Sequence, residues 1–202
     1  MANQYDQKYA SEAFYWGKKP SPICLKVLEF FPVDRPLRLI DIGCGEGRNA
    51  VFFAKNGFQV TAFDLATTGA AKTKQLAAEA GVRIETFEAD MLKHRLTEHF
   101  DVVFCHGCLQ YVPPEMRQSL LEHYKQHTNP GGLNVLSAFV KKPFIAKAPD
   151  AESTAHKWIS GELFTHYHDW QIDLCAETIF DCMSSGIPHR HAMDQLIARK
   201  VE

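Results

Sequence analysis

Three glycines at alternate positions, Gly43, Gly45 and Gly47, follow an apolar run that ends in Asp41. The stretch Leu37–Arg48 reads LRLIDIGCGEGR, with Cys44 and Arg48 inside and just after the loop. Glycine has no Cβ and takes positive φ, so such a loop lets a ligand lie against bare backbone. A helix starting there aims its free N–H groups at the same point. Asp41 adds a carboxylate, which is out of place beside a phosphate and well placed beside a cationic ligand. Two further acids, Asp64 and Asp90, close later apolar runs and are followed by Leu65 and Met91. Cys105 and His106 end another. In open parallel sheets, ligands bind beyond the carboxyl ends of the strands, so these four places converge on one edge.

The elements that must hold them alternate strand with helix, which marks a parallel sheet covered by helices. Expected strands are Leu37–Ile42, Phe58–Phe63, Arg83–Glu88, Asp101–Cys105 and Leu133–Val140. Between them lie helices over Arg48–Asn56, Thr67–Ala80 and Pro114–His127, the last with proline at its start. Asp34-Arg35-Pro36 and Asn129–Gly132 read as turns. After the fifth strand the rhythm changes. Residues 141–160 form a long connection, Ser160–Trp170 has helical spacing, and Asp173–Met183 and Ala192–Lys200 read as two closing strands around Ser184–His191. Pro22–Phe31 is a helix leading into the sheet. Before it, residues 1–20 carry Tyr5, Tyr9, Phe14, Tyr15 and Trp16. They make either an arm stapled to the surface or a lid over the ligand. The chain is one domain, with residues 1–36 as arm and helix and 37–202 as the sheet domain.

Composition excludes several classes. The chain has 202 residues, 22 Lys and Arg against 24 Asp and Glu, and a formal charge of −2, which argues against nucleic acid as partner. No apolar run reaches the length of a membrane span, and the polar start is not that of a signal peptide. Six scattered cysteines, mostly within apolar strands, read as reduced thiols of a cytoplasmic protein. Cys105-His106-Gly107-Cys108 has the spacing of a redox or metal pair, but no second such pair exists to complete a zinc site, and pocket lining is the simpler reading. His166-x-His168 and His189-x-His191 suggest either a four-histidine metal site or two solvated turns; the second is preferred and no metal is assigned.

The dinucleotide fingerprint G-x-G-x-x-G would need a third glycine at position 48, which is Arg48. The spacing instead resembles motif I of the class I S-adenosylmethionine (SAM) dependent methyltransferases. That resemblance covers about 37–140 and implies a Rossmann-like, seven-stranded, mostly parallel sheet with a terminal antiparallel strand and helices on both faces. It implies SAM as cofactor, with Asp64 accepting the ribose hydroxyls, Asp90 the adenine amine, Met91 packing on the ring and Asp41 favouring the cationic amino group. Gly43, Cys44, Gly45, Gly47, Arg48, Leu65, Cys105 and His106 would line the same site.

Three further segments resemble the tellurite-resistance (TehB-like) methyltransferase family: GEGRN at Gly45–Asn49, HTNPGG at His127–Gly132, and GELFTHYHDW at Gly161–Trp170 with LIARK at Leu196–Lys200. That family is described as methylating soft oxyanions such as tellurite and selenite through a His-Arg pair before the last strand. His189 and Arg190 match that pair as catalytic residues; a further arginine of the family has no clear counterpart beyond Arg199. The implied function is methyl transfer to a small soft or anionic nucleophile, an oxyanion or thiol, by a monomer or homodimer. A methyltransferase of another small metabolite, a SAM-binding module without catalysis, and a nicotinamide enzyme are the alternatives.

Overall fold

A computed structural model describes residues 4–31, 36–149, 155–184 and 186–201. Asp34 and Arg35 of the expected turn, and 150–154 of the long connection, lie outside the described residues.

Seven strands form one sheet: β1 Arg38–Ile42, β2 Gln59–Asp64, β3 Ile84–Glu88, β4 Phe100–His106, β5 Thr128–Val140, β6 Gln171–Cys182 and β7 His189–Arg199. Their order is β3-β2-β1-β4-β5-β7-β6. β1 to β5 pair parallel, while β7 runs antiparallel to both β5 and β6. This is the doubly covered sheet expected from the strand–helix rhythm. The helices are α1 Gln4–Tyr9, α2 Pro22–Leu28, α3 Arg48–Lys55, α4 Thr67–Glu79, α5 Pro114–Gln126 and α6 Glu162–Thr165. The central strands are nearly all apolar because both faces are buried, as parallel sheets require. Alternate residues feed two cores. Ile40, Ile42, Val103 and Leu136 pack with α5 residues Leu120 and Tyr124 on one face. Leu39, Val102, Phe104 and Val135 pack with Ile23 of α2 and Phe53 of α3 on the other.

Three expectations needed correction, each where long-range contacts overrode local signals. Asn129–Gly132 is not a free turn. It is an irregular stretch of β5, opposite a register shift between Phe100 and Val102, and Gly131 N donates to Lys200 O beyond β7. The helix over Ser160–Trp170 is only one turn, α6. The chain then turns so that the Tyr167 hydroxyl, fully buried, reaches Asn134 Oδ1 at 2.7 Å and Asp169 reaches Lys125 at 2.8 Å. The connection Ser184–His191 is also shorter than expected. β7 begins at His189 because its pairing with β6 continues to the couple Cys182 and His189.

The long connection returns along the sheet edge. Trp158 lies beside Val140, donates its backbone N–H to Phe139 O at 3.0 Å and its indole N–H to Leu109 O at 2.9 Å. Arg117 of α5, 4% exposed, stacks on Trp158 and binds both carboxylate oxygens of Glu162, at 2.7 and 2.9 Å, and His156 O at 2.8 Å. Removing one partner of such a buried pair strands the other. Arg117→Ala is therefore expected to cost about 3 kcal/mol in urea unfolding. Glu162→Gln, which keeps an acceptor, should cost less. Equal stability of Arg117→Ala and the parent would show that the pair holds nothing in place.

Candidate functional site

The glycine loop leaves β1 at the carboxyl edge of the sheet and enters α3 directly. Gly47 caps α3 with φ +86°, and a Cβ there would meet Thr73 at 2.7 Å. The loop lies down on β2: Gly43 N and Cys44 N both donate to Phe63 O, at 2.9 and 3.0 Å. Asp64 then fixes its far side. One carboxylate oxygen accepts from Gly45 N and the other from Ala66 N, both at 2.8 Å. Thus Asp64 ties the first loop to the N-terminus of α4.

Asp41 is 2% exposed at the base of this loop, and its Oδ2 has no hydrogen-bond partner. Burial, and next the nearby Asp64 carboxylate, push its acid up to about 7, against an opposing pull from Arg48 and an Ala50 hydrogen bond. Asp64 is likewise raised, chiefly by burial, although its backbone donors work the other way. Asp64 thus adds to the cost of ionising Asp41 under the same glycine loop, an arrangement that a cationic ligand would relieve. The residues fit the positively charged end of SAM and fit a pyrophosphate poorly.

The N-terminal arm lies over this loop. Tyr9 is 5% exposed and sits so close that a Cβ on Gly45 would come 3.1 Å from its hydroxyl. Trp16 Nε1 donates to that hydroxyl at 3.0 Å. Asp6 accepts from Thr68 N at 3.0 Å at the start of α4, and the Tyr5 and Tyr111 hydroxyls meet at 2.8 Å. Buried Glu46 accepts from Trp16 N at 3.1 Å and pairs with Lys72 at 2.8 Å. Arg48 Nη1 donates to Trp16 O at 3.0 Å. The aromatic content of residues 1–20 signalled the arm; its seating on the loop depends on contacts that spacing does not display.

Further along the edge, Asp90 is half-buried and folded into its own turn. Its side chain accepts from Leu92 N at 2.9 Å, its carbonyl from His94 N at 2.7 Å, and Met91 packs against the core. Leu65 is 48% exposed beside Asp64, leaving an apolar surface at the mouth. Ser137 Oγ accepts from Gly107 N at 3.0 Å and lies within hydrogen-bond distance of His106 Nδ1, at 2.7 Å. Burial, then Arg48, lowers His106 to about 4, so the ring is neutral. Cys105 and Cys108 place their sulfurs 3.1 Å apart, and Cys108 Sγ donates to Ile42 O at 3.2 Å. The hydrogen bond with Cys105, then burial, holds the Cys108 thiol well above its ordinary range, which makes it a poor nucleophile.

His189 and Arg190 both lie at the hairpin end of β7, on opposite faces of the strand. Consecutive strand residues face opposite sides. Half-buried His189 meets His191 and Cys182, whereas exposed Arg190 aligns with Asp181 on the other face. The four histidines do not converge: His166 lies against Trp158. Sequence spacing offered His189 and His191 together; Cys182 emerges only from the β6–β7 register.

A family model described as tellurite resistance protein TehB matches residues 8–182. The probable S-adenosyl-L-methionine-dependent methyltransferase TehB of Haemophilus influenzae is 24% identical over 165 residues, 81% of this chain and 57% of that protein. A ubiquinone biosynthesis O-methyltransferase of Rickettsia canadensis is 31% identical over 111 residues, 54% of this chain and 46% of its own length. The chain thus spans about half the length of these curated relatives. Among solved structures, TehB from Haemophilus influenzae matches with a TM-score of 0.77 at 21% identity, covering 97% of this chain and 65% of that one. Magnesium protoporphyrin IX methyltransferase from Synechocystis, solved with bound SAH, matches with a TM-score of 0.67 at 18% identity, covering 88% and 82%. The class I methyltransferase fold is shared. No helix among the described residues is long and apolar enough to cross a membrane.

A raised acid destabilises the folded state when it ionises. Asp41 binds its proton more tightly folded than unfolded, so stability of the ligand-free protein should fall as pH rises from near 4 to near 7 and level off above. Asp41→Asn should remove most of that fall. Urea midpoints of both proteins at pH 5 and pH 8 test this; identical slopes would take the charge off Asp41.

Proposed function

The chain belongs to the TehB family, and from that membership we propose that it is a SAM-dependent methyltransferase acting on a small, soft or anionic nucleophile. The observation that carries the cofactor reading is the pair of buried Asp41 and half-buried Asp64, with Asp41 Oδ2 lacking a partner. Such a pair repels a phosphate and favours a cation. The names of the methyltransferase relatives point the same way.

In this reading Asp41 faces the amino end of the cofactor, and the Gly43–Gly47 backbone, with Cys44 between its glycines, gives it room. Asp64 takes the ribose hydroxyls with lone pairs left over from Gly45 and Ala66. Asp90 and Met91 hold the adenine, and Leu65 offers it an apolar edge. Arg48 helps keep Asp41 ionised. When bound, SAM supplies a methyl group already activated on a sulfonium. The protein's own work is to position the acceptor and exclude water. Tyr9 and Trp16 do the excluding, as a cover over the loop. Cys105 and the neutral His106 ring line the floor. His189 stands at the acceptor end, with Arg190 drawing anions to the outer rim.

A soft acceptor is favoured because a thiolate, selenite or tellurite needs no general base to attack. The O-methyltransferase relatives keep a hydroxyl acceptor as the second reading.

Calorimetric titration with SAM tests the cofactor. Affinity should rise from pH 6 to pH 8 as Asp41 ionises, and this rise should vanish in Asp41→Asn. Asp64→Ala should bind SAM more than tenfold more weakly; unchanged affinity would remove Asp64 from the site. S-adenosylhomocysteine should then form only when selenite, tellurite or a thiol is supplied. Binding without turnover on these or on phenols would leave a SAM-binding module, and binding of NAD in place of SAM would overturn the reading entirely.

A further inference from the structure

At the turn between β6 and β7 stand two imidazoles and a thiol that the cofactor reading leaves unexplained. Cys182 pairs across the strands with His189, and His191 lies two residues on, on the same face. One donor atom from each of the three lies within 4.8 Å of those of the others. No other cluster of His, Cys, Asp or Glu among the described residues comes this close to a metal-binding arrangement. We propose that Cys182, His189 and His191 form a site for a zinc-like divalent cation, with a fourth position left open.

The donors are already arranged for it. His189 Nε2 and His191 Nε2 are 3.0 Å apart. Two imidazoles on one tetrahedral zinc place their nitrogens about 3.3 Å apart, given Zn–N bonds of about 2.0 to 2.1 Å. The tautomer of His189 is fixed as well. Its Nδ1 is 2.7 Å from Ile187 O, and a carbonyl only accepts, so Nδ1 carries the proton and Nε2 presents its lone pair. A backbone carbonyl on the far nitrogen is how metal-binding histidines are commonly oriented. Ser184 N points at Cys182 Sγ at 3.5 Å and helps to hold the sulfur in the turn.

The surroundings suit a bound ion. Phe139 and Phe180 wall the His191 ring, with centroids 5.0 and 5.7 Å away. The Tyr15 hydroxyl donates to Ser184 O at 2.8 Å and ties the turn to the arm that covers the glycine loop. One sulfur and two imidazoles select zinc and its soft neighbours over magnesium or calcium, which want oxygen. Three protein ligands with an open position is the pattern of sites that take an exogenous ligand. Here the open position would accept a thiolate or another soft anion.

The site shares His189 with the acceptor end of the preceding reading, but its metal binding can be tested without SAM. The full chain, stripped with chelator, would be titrated with Zn²⁺ by calorimetry and with Co²⁺ as a visible probe. The expected result is one equivalent of Zn²⁺ with micromolar or tighter affinity, no response to Mg²⁺, and a Co²⁺ spectrum with a sulfur-to-metal charge-transfer band. Cys182→Ser should abolish that band, and His191→Ala should weaken Zn²⁺ at least tenfold. His168→Ala should change neither. Circular dichroism checks that each variant is folded; should His191→Ala unfold, the parent spectrum and Cys182→Ser decide. Absence of stoichiometric zinc binding would overturn the proposal. So would a charge-transfer band that survives in Cys182→Ser, since the ion would then sit elsewhere, for example on Cys105 and Cys108. Loss of SAM binding with zinc binding intact would sink only the preceding reading.

Discussion

Everything at the carboxyl edge of this sheet answers to one constraint: two carboxylates, the buried Asp41 and the half-buried Asp64, share a single glycine loop. Burying a charge is costly unless it is paired or hydrogen-bonded. Asp64 meets the cost with two backbone donors, Gly45 N and Ala66 N. Those same bonds fix the loop against β2 and set the start of α4. Asp41 is left with one oxygen unserved and Arg48 as its nearest relief. The loop is therefore rigid on one side and electrostatically unfinished on the other. That asymmetry is the feature on which the proposed seat for a cationic ligand rests.

The covering arm follows from the same geometry. A loop of glycines offers bare backbone, and aromatic rings can lie flat against it. Tyr9 brings its hydroxyl end over Gly45, and Trp16 holds that hydroxyl. Glu46 sits inside this layer at 2% exposure, made tolerable by Lys72 and by Trp16 N. Asp6 caps α4 and Tyr15 reaches the β6–β7 turn, so the arm crosses the whole edge. The arm therefore joins the start of α4 and the β6–β7 turn through its own hydrogen bonds.

Much of this was legible in the sequence wherever a signal is local. Continuous apolar runs ending in Asp41, Asp64 and near Asp90, with helix starts after them, place the first four strands to within a residue at each end, and the fifth at its end only, since β5 starts at Thr128 rather than Leu133. Illegible were features set by pairing between distant segments. The NPGG stretch looks like a turn by its residues, yet it is absorbed into β5 because Lys200 offers its backbone. The helical spacing of Leu163, Phe164 and Tyr167 reflects a shared core, not a long helix, since Tyr167 is drawn down to Asn134. Cys182 carries no motif at all; only register brings it to His189.

Register also governs what the His189-Arg190 dipeptide can do. Read as a turn, the two side chains could close on one anion. In a strand, the period of two sends them to opposite faces. An oxyanion on the His189 side meets imidazoles, a thiol and the rings of Phe139 and Phe180, a soft and weakly hydrated surround. One on the Arg190 side meets an exposed guanidinium with Asp181 across the strand. Exposed charges attract over distance but discriminate weakly, because water screens them. The half-buried side of the hairpin is thus the one on which donor softness could discriminate between ligands, while Arg190 presents a solvated charge.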